Sequence, residues 1–197
     1  MTPAARILLI ASAFLAGLVL CFAVIVVVAG RGGSPIAQTT AAIGGPFELT
    51  DQDGRAVSDR DLKGRPFLVF FGFTHCPDVC PTTLFEVSEV LRALGPEADR
   101  VNALFVTVDP ERDTPGQLKD YLSSFDPHLR GLTGEPAAVA AMTKAYRVYV
   151  KKVPQENGYT MDHTAIVYLM DKDGRFVAPF NLKRRAADAA ADLRRYL

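Results

Sequence analysis

Ile7 to Ala29 is a run of 23 residues without a charge, dominated by Leu, Ile, Val, Phe and Ala and flanked by Arg6 and Arg31. A helix of that length crosses the hydrocarbon core of a bilayer. The apolar region of a cleaved signal peptide is only about 7 to 15 residues long and ends at a small-x-small site. The expectation is therefore an uncleaved transmembrane anchor over residues 1–30. Cys21 follows Leu20, where lipoprotein processing needs a small residue, so it reads as a lipid-facing hydrophobe. Residues 31–46 are rich in Gly, Ser, Thr, Ala and Pro and read as a flexible tether.

From Phe47 the pattern changes to short elements. Asp53-Gly54 between extended pieces signals a hairpin across Phe47 to Val57. Phe67 to Phe73 (FLVFFGF) is a nearly continuous apolar run, as expected of a central parallel strand buried on both faces. After Pro81, the residues Leu84, Val87, Leu91 and Leu94 recur at helical spacing until Gly95-Pro96 ends the pattern. Val101 to Val108 reads as the next strand, and Thr114-Pro115-Gly116-Gln117 opens a helix with a capping-box pattern and Pro at its first position. Glu135 to Tyr146 is Ala-rich and helical, and Thr164 to Met170 is β-rich. Asp173-Gly174 turns into a further strand at Arg175 to Val177, and Lys183 to Leu197 closes as a helix. The alternation predicts one α/β domain over 47–197, a central sheet covered by helices on both faces.

Hydrophobic residues at 49% and charged residues at 22% exclude a disordered or fibrous chain. Beyond Arg6 and Arg31 the chain holds 20 basic against 22 acidic residues, which leaves no nucleic-acid footprint. Arg6 with the terminal amine on one side of the apolar run, against Arg31 alone on the other, favours N-in orientation. Nothing before Arg31 has the Arg-rich, amphipathic character of a mitochondrial transit peptide. The expected place is a single-pass protein of the bacterial inner membrane, its domain facing the oxidising periplasm.

Three cysteines are too few for a disulfide scaffold. Cys76 and Cys80 lie in Phe73-Thr74-His75-Cys76-Pro77-Asp78-Val79-Cys80-Pro81, between the buried strand and the helix. Pro81 suits a first helical position, which puts both sulfurs at the positive end of a helix, where a thiol pKa falls. As a staple the pair is poor, because closing so small a loop contributes only about 2 kcal/mol. His163, in Asp162-His163-Thr164, precedes an apolar strand. It reaches the cysteines only if that strand runs antiparallel to a neighbour. Two thiolates and one imidazole suit Cu(I) and can also take Cu(II) or Zn(II), whereas a structural zinc site closes with four ligands and no fourth is evident.

The chain resembles the Sco/SenC family of copper-binding cytochrome c oxidase assembly proteins, which are thioredoxin-like. The resemblance rests on Gly72 to Pro81 (GFTHCPDVCP), on Val106 to Thr114 (VTVDPERDT) and on Asp162-His163-Thr164, in that order, and covers about residues 46 to 180. It implies a membrane-anchored copper metallochaperone, not classed as an enzyme, that binds copper through Cys76, Cys80 and His163, with Asp162 and Asp109 in supporting places. Copper, as Cu(I) and also Cu(II), is the implied cofactor. The copper-site subunit of cytochrome c oxidase is the implied partner, and a second copper chaperone or a thiol reductant is a further one.

The alternative is a thiol:disulfide oxidoreductase that reduces the acceptor's cysteines, with Cys76 and Cys80 as its redox pair. A peroxiredoxin places Pro and Thr seven and three residues before its reactive cysteine, where this chain has Val69 and Phe73. A thioredoxin has Trp-Cys-x-x-Cys and a Pro before its late strand, whereas His75 precedes Cys76 and three residues separate the cysteines here. In the charged turn Asp109 to Asp113, either Asp113 or Thr114 reads as a helix cap and Arg112 as a partner for a neighbouring carboxylate. His75 points outward or tunes Cys76, and His128 reads as a solvated loop residue.

Overall fold

The computed structural model describes residues 14–24 and 43–197. The chain divides into two compact units, Met1–Thr40 and Ala41–Leu197. In the first, residues 14–24 are helical (α1) and exposed along their length. Among the described residues no helix is long and apolar enough to cross a membrane. The anchor and the tether expected from the sequence lie largely outside the described residues.

The second unit is built on a seven-stranded sheet of order β2-β1-β5-β4-β3-β8-β9. Its strands are β1 (Glu48–Asp51), β2 (Ala56–Ser58), β3 (Phe67–Gly72), β4 (Asn102–Thr107), β5 (Leu129–Thr133), β8 (Val167–Met170) and β9 (Phe176–Pro179). The apolar run of β3 is buried at every position, which suits its interior place between β4 and β8, next to the middle strand β4. Strands β3, β4 and β5 run parallel, joined through α2 (Val79–Leu94) and α3 (Pro115–Leu122). Thr114 caps α3 by accepting from the Gln117 backbone, with Pro115 at the first turn, as the capping pattern predicts. Helices α4 (Pro136–Ala145) and α5 (Ala186–Leu193) complete the cover, and α5 packs against α2. The C-terminal helix is shorter than the sequence suggests, giving way to a 3-10 turn over Arg194–Tyr196.

Two features matter for the site. Strand β8 is antiparallel to β3, with Val167 beside Phe70 and Met170 beside Phe67. The start of β8 therefore lies at the edge where β3 ends. The second is a separate hairpin, β6 (Val150–Gln155) and β7 (Gly158–His163), which sequence patterning leaves unassigned. Gly158 takes φ +120° at its turn, a conformation that side chains disfavour. His163, ahead of the apolar strand as expected, is the last residue of β7, and the β-rich stretch begins its ladder only at Val167.

Candidate metal centre

The turn after β3 and the first turn of α2 carry the two cysteines. Helix α2 starts at Val79 with Asp78 at its N-cap position, so Cys80 already lies inside it. Cys80 is fully buried and Cys76 nearly so, and both are free thiols. The Cys80 backbone N–H donates to Cys76 Sγ at 3.4 Å, so this sulfur occupies the place of a capping acceptor at the helix start. A Cβ added to Gly72 would meet Cys80 Sγ at 2.9 Å and the Phe105 ring at 2.7 Å. Glycine at the end of β3 is what lets the sulfur approach the sheet edge.

The Cys80 sulfur does not have the low pKa expected at a helix N-terminus. Burial pushes the Cys80 thiol far up, and the neighbouring Cys76 adds to that. Loss of water around the Cys80 sulfur outweighs the lowering effect of the Phe73 backbone.

Hairpin β6–β7 delivers the imidazole. His163 Nε2 lies 3.7 Å from Cys80 Sγ. Its Nδ1 lies 3.2 Å from the Thr164 carbonyl, which holds the proton on Nδ1 and turns the Nε2 lone pair toward the sulfur. Burial lowers the His163 pKa, keeping the ring neutral and free to ligate. The ring stands edge-on to Phe73, with centroids 5.8 Å apart.

The sulfurs of Cys76 and Cys80 and a His163 ring nitrogen all lie within 4.8 Å of one another. An ion with one ligand at 2.0 Å and another at 2.3 Å, 120° apart, holds those two atoms about 3.7 Å from each other. The separation of Nε2 and Cys80 Sγ matches that requirement. Two soft sulfurs and one imidazole, mostly screened from water, suit a thiophilic ion of low coordination number.

Two carboxylates brace the site in ways the charged-turn pattern conceals. Asp113 does not cap α3. Fully buried, it accepts from the Thr74 backbone N–H at 3.0 Å, from Thr74 Oγ1 at 2.6 Å and from Thr107 Oγ1 at 2.6 Å. The end of β4 and the turn leading to Cys76 are tied through it. Asp109, also buried, accepts from Arg112 Nε and from the Tyr159 hydroxyl at 2.9 Å, binding the turn after β4 to the hairpin. Asp162, by contrast, is exposed and stands across the hairpin from Lys151. His75 is exposed, 3.8 Å from Asp113. His128 is no free loop residue: its Nδ1 meets Asp126 at 2.7 Å and its Nε2 meets Asp99 at 3.1 Å. Tyr159 was not legible as a site residue, and only Asn157-Gly158, a hairpin signal, marks its neighbourhood.

The family model for SCO1/SenC matches residues 36–197. The chain belongs to the SCO1/SenC family. Its similar proteins include a SCO2-like protein of Rickettsia prowazekii, 40% identical over 143 residues, 71% of this chain and 70% of that protein. The chain spans about half the length of the mitochondrial SCO1 homologues it matches in Arabidopsis thaliana and Homo sapiens, 46% and 52%. Among solved structures, ScoI of Bradyrhizobium japonicum with copper bound is 69% identical, with a TM-score of 0.78 over 79% of this chain and 100% of that one. BsSco, described as carrying a disulfide switch and as a member of the Sco family of cytochrome c oxidase assembly proteins, is 27% identical, with a TM-score of 0.64 over 78% of this chain and 92% of its own. These SCO1/SenC neighbours establish a thioredoxin-like, mixed α/β Sco fold.

Proposed function

We propose that the protein is a copper metallochaperone that binds one Cu(I) through Cys76, Cys80 and His163 and supplies it to a copper centre of cytochrome c oxidase. The observation that carries this reading is the meeting of two sulfurs and one imidazole within 4.8 Å at one edge of the sheet. The copper-bound ScoI neighbour and the family's link to oxidase assembly support it. The apolar run of residues 7–29 and the Gly- and Ser-rich stretch after it support an anchor over 1–30, a tether over 31–46 and a copper-binding domain over 47–197. That arrangement suits the bacterial inner membrane, with the domain facing the periplasm and able to reach a membrane-bound acceptor.

The burial of the sulfurs fits the role. Cys80, fully buried, is poorly placed to attack arbitrary disulfides, whereas a partner that docks and offers its own sulfurs can take an ion by ligand exchange. Low coordination leaves room for an incoming ligand.

Complementation of a deletion strain under low copper tests the reading against the dithiol alternative. Metallochaperone action requires His163→Ala to fail like Cys76→Ser, with added copper restoring part of the oxidase activity. A fully active His163→Ala would overturn it, because electron transfer between sulfurs needs no imidazole.

A further inference from the structure

Arg112 stands between the two elements that carry the proposed ligands. Its guanidinium carbon lies 3.8 Å from the centroid of the Tyr159 ring on β7 and 5.9 Å from that of Phe73, in the turn leading to Cys76. Phe73 meets the His163 ring edge-on at 5.8 Å, and its carbonyl accepts the Cys76 N–H at 3.2 Å. Tyr159 and His163 are four residues apart on one strand, so their side chains leave the same face. The order across that face is Tyr159, Arg112, Phe73, His163.

Polar contacts fix the guanidinium in this stack. Its Nε donates to buried Asp109, and its Nη1 donates to the Tyr159 carbonyl at 3.1 Å, 47 residues away in the chain. An ordinary exposed ion pair at i,i+3 would need only the first of these. The bond to the hairpin backbone and the two flanking rings give the side chain a second task.

We propose that Arg112 is a positioning residue for His163, a planar wedge that sets the spacing of hairpin β6–β7 from the cysteine turn and so holds the imidazole within reach of the Cys80 sulfur. The proposal rests on the reading of Cys76, Cys80 and His163 as copper ligands. Lysine cannot replace the wedge, since a point charge on a flexible stem lacks the flat fork that stacks and donates in two directions.

The test uses the full chain in detergent, titrated with Cu(I) against a chromophoric chelator, with amide hydrogen exchange of the copper-free protein as a second readout. Arg112→Gln and Arg112→Lys should each lower Cu(I) affinity about tenfold, the scale of a lost partner outside the ligand shell. Both should speed exchange at His163 and Thr164. In a His163→Ala background, Arg112→Gln should cause no further loss of affinity, because its effect passes through the imidazole. Wild-type affinity in both Arg112 variants, or a loss that adds in full to that of His163→Ala, overturns the proposal. Should Arg112→Gln fail to fold, Arg112→Lys decides on the same criteria. Cys76→Ser in the same titration separates the two levels: undiminished binding there sinks the ligand reading, while its loss alongside unaffected Arg112 variants sinks only the positioning role.

Discussion

His163 Nε2 lies 3.7 Å from Cys80 Sγ, although 83 residues separate the two in the chain. The antiparallel pairing of β8 with β3 brings the chain back to the edge where β3 ends. The hairpin ahead of β8 then hangs over that edge, and the Thr164 N–H closes its root on the Tyr149 carbonyl at 3.1 Å. Of the two donors, the imidazole depends on tertiary contacts for its place, whereas the sulfur is set by the local turn and the helix start.

Gly72→Ala should damage both stability and the site. The new methyl has nowhere to go between Cys80 Sγ and the Phe105 ring. Overpacking of this kind costs about 1 to 3 kcal/mol, measured by denaturant unfolding of the copper-free protein. Copper affinity should fall with it, since the sulfur is the atom displaced.

Asp113→Asn should destabilise the protein by about 1 to 3 kcal/mol, the cost of leaving a buried donor unmatched. Three hydrogens point at the carboxylate, and an amide must turn its own NH2 toward at least one of them. Alkylation of Cys76 should also quicken, because the turn ahead of it loses its tie to β4. An unchanged unfolding midpoint and unchanged alkylation rate would show that the buried carboxylate does not brace the turn.

The links from sequence to site were unevenly legible. Cys76 and Cys80 stand out because their spacing and flanking prolines are local, β3 and α2 because their apolar patterns match their burial, and α4 because it is rich in Ala. Hairpin β6–β7 leaves no strand pattern in the sequence because β6 is mostly exposed and Lys-rich, with no alternation to read. Strand β5 is equally silent: a five-residue strand with Arg130 and Gly131 inside it carries too little apolar signal. The bracing by Asp113 was hidden for another reason, since a residue beside a capping Thr looks like a cap until the tertiary contacts are visible.

Stability should fall as pH rises through the His128 pKa. Hydrogen bonds to Asp126 raise that pKa first of all, aided by Asp99. The charged imidazole is thus favoured by folding, so its contribution is complete below the unfolded value of about 6.5 and disappears above the higher folded value. The side chain is one-third exposed, which limits the effect to about 1 kcal/mol or less. Denaturant unfolding from pH 5 to pH 8 should show this slope in the wild type and a flatter one in His128→Gln. Equal slopes would contradict the assignment.

Mild oxidation without copper should join Cys76 to Cys80, which lie free and close together. A mass loss of about two daltons marks the disulfide, and copper should then no longer bind because the thiolates are consumed. Two alkylatable thiols after oxidation would argue against a redox gate on loading.

The ligand set itself is tested most directly by X-ray absorption on the Cu(I)-loaded full chain, with His163→Ala measured beside it. The account predicts one Cu(I) per chain, with two sulfur neighbours and one nitrogen neighbour. In His163→Ala the nitrogen should be lost and the affinity should drop. A copper site without sulfur neighbours, or full affinity in His163→Ala, would contradict it.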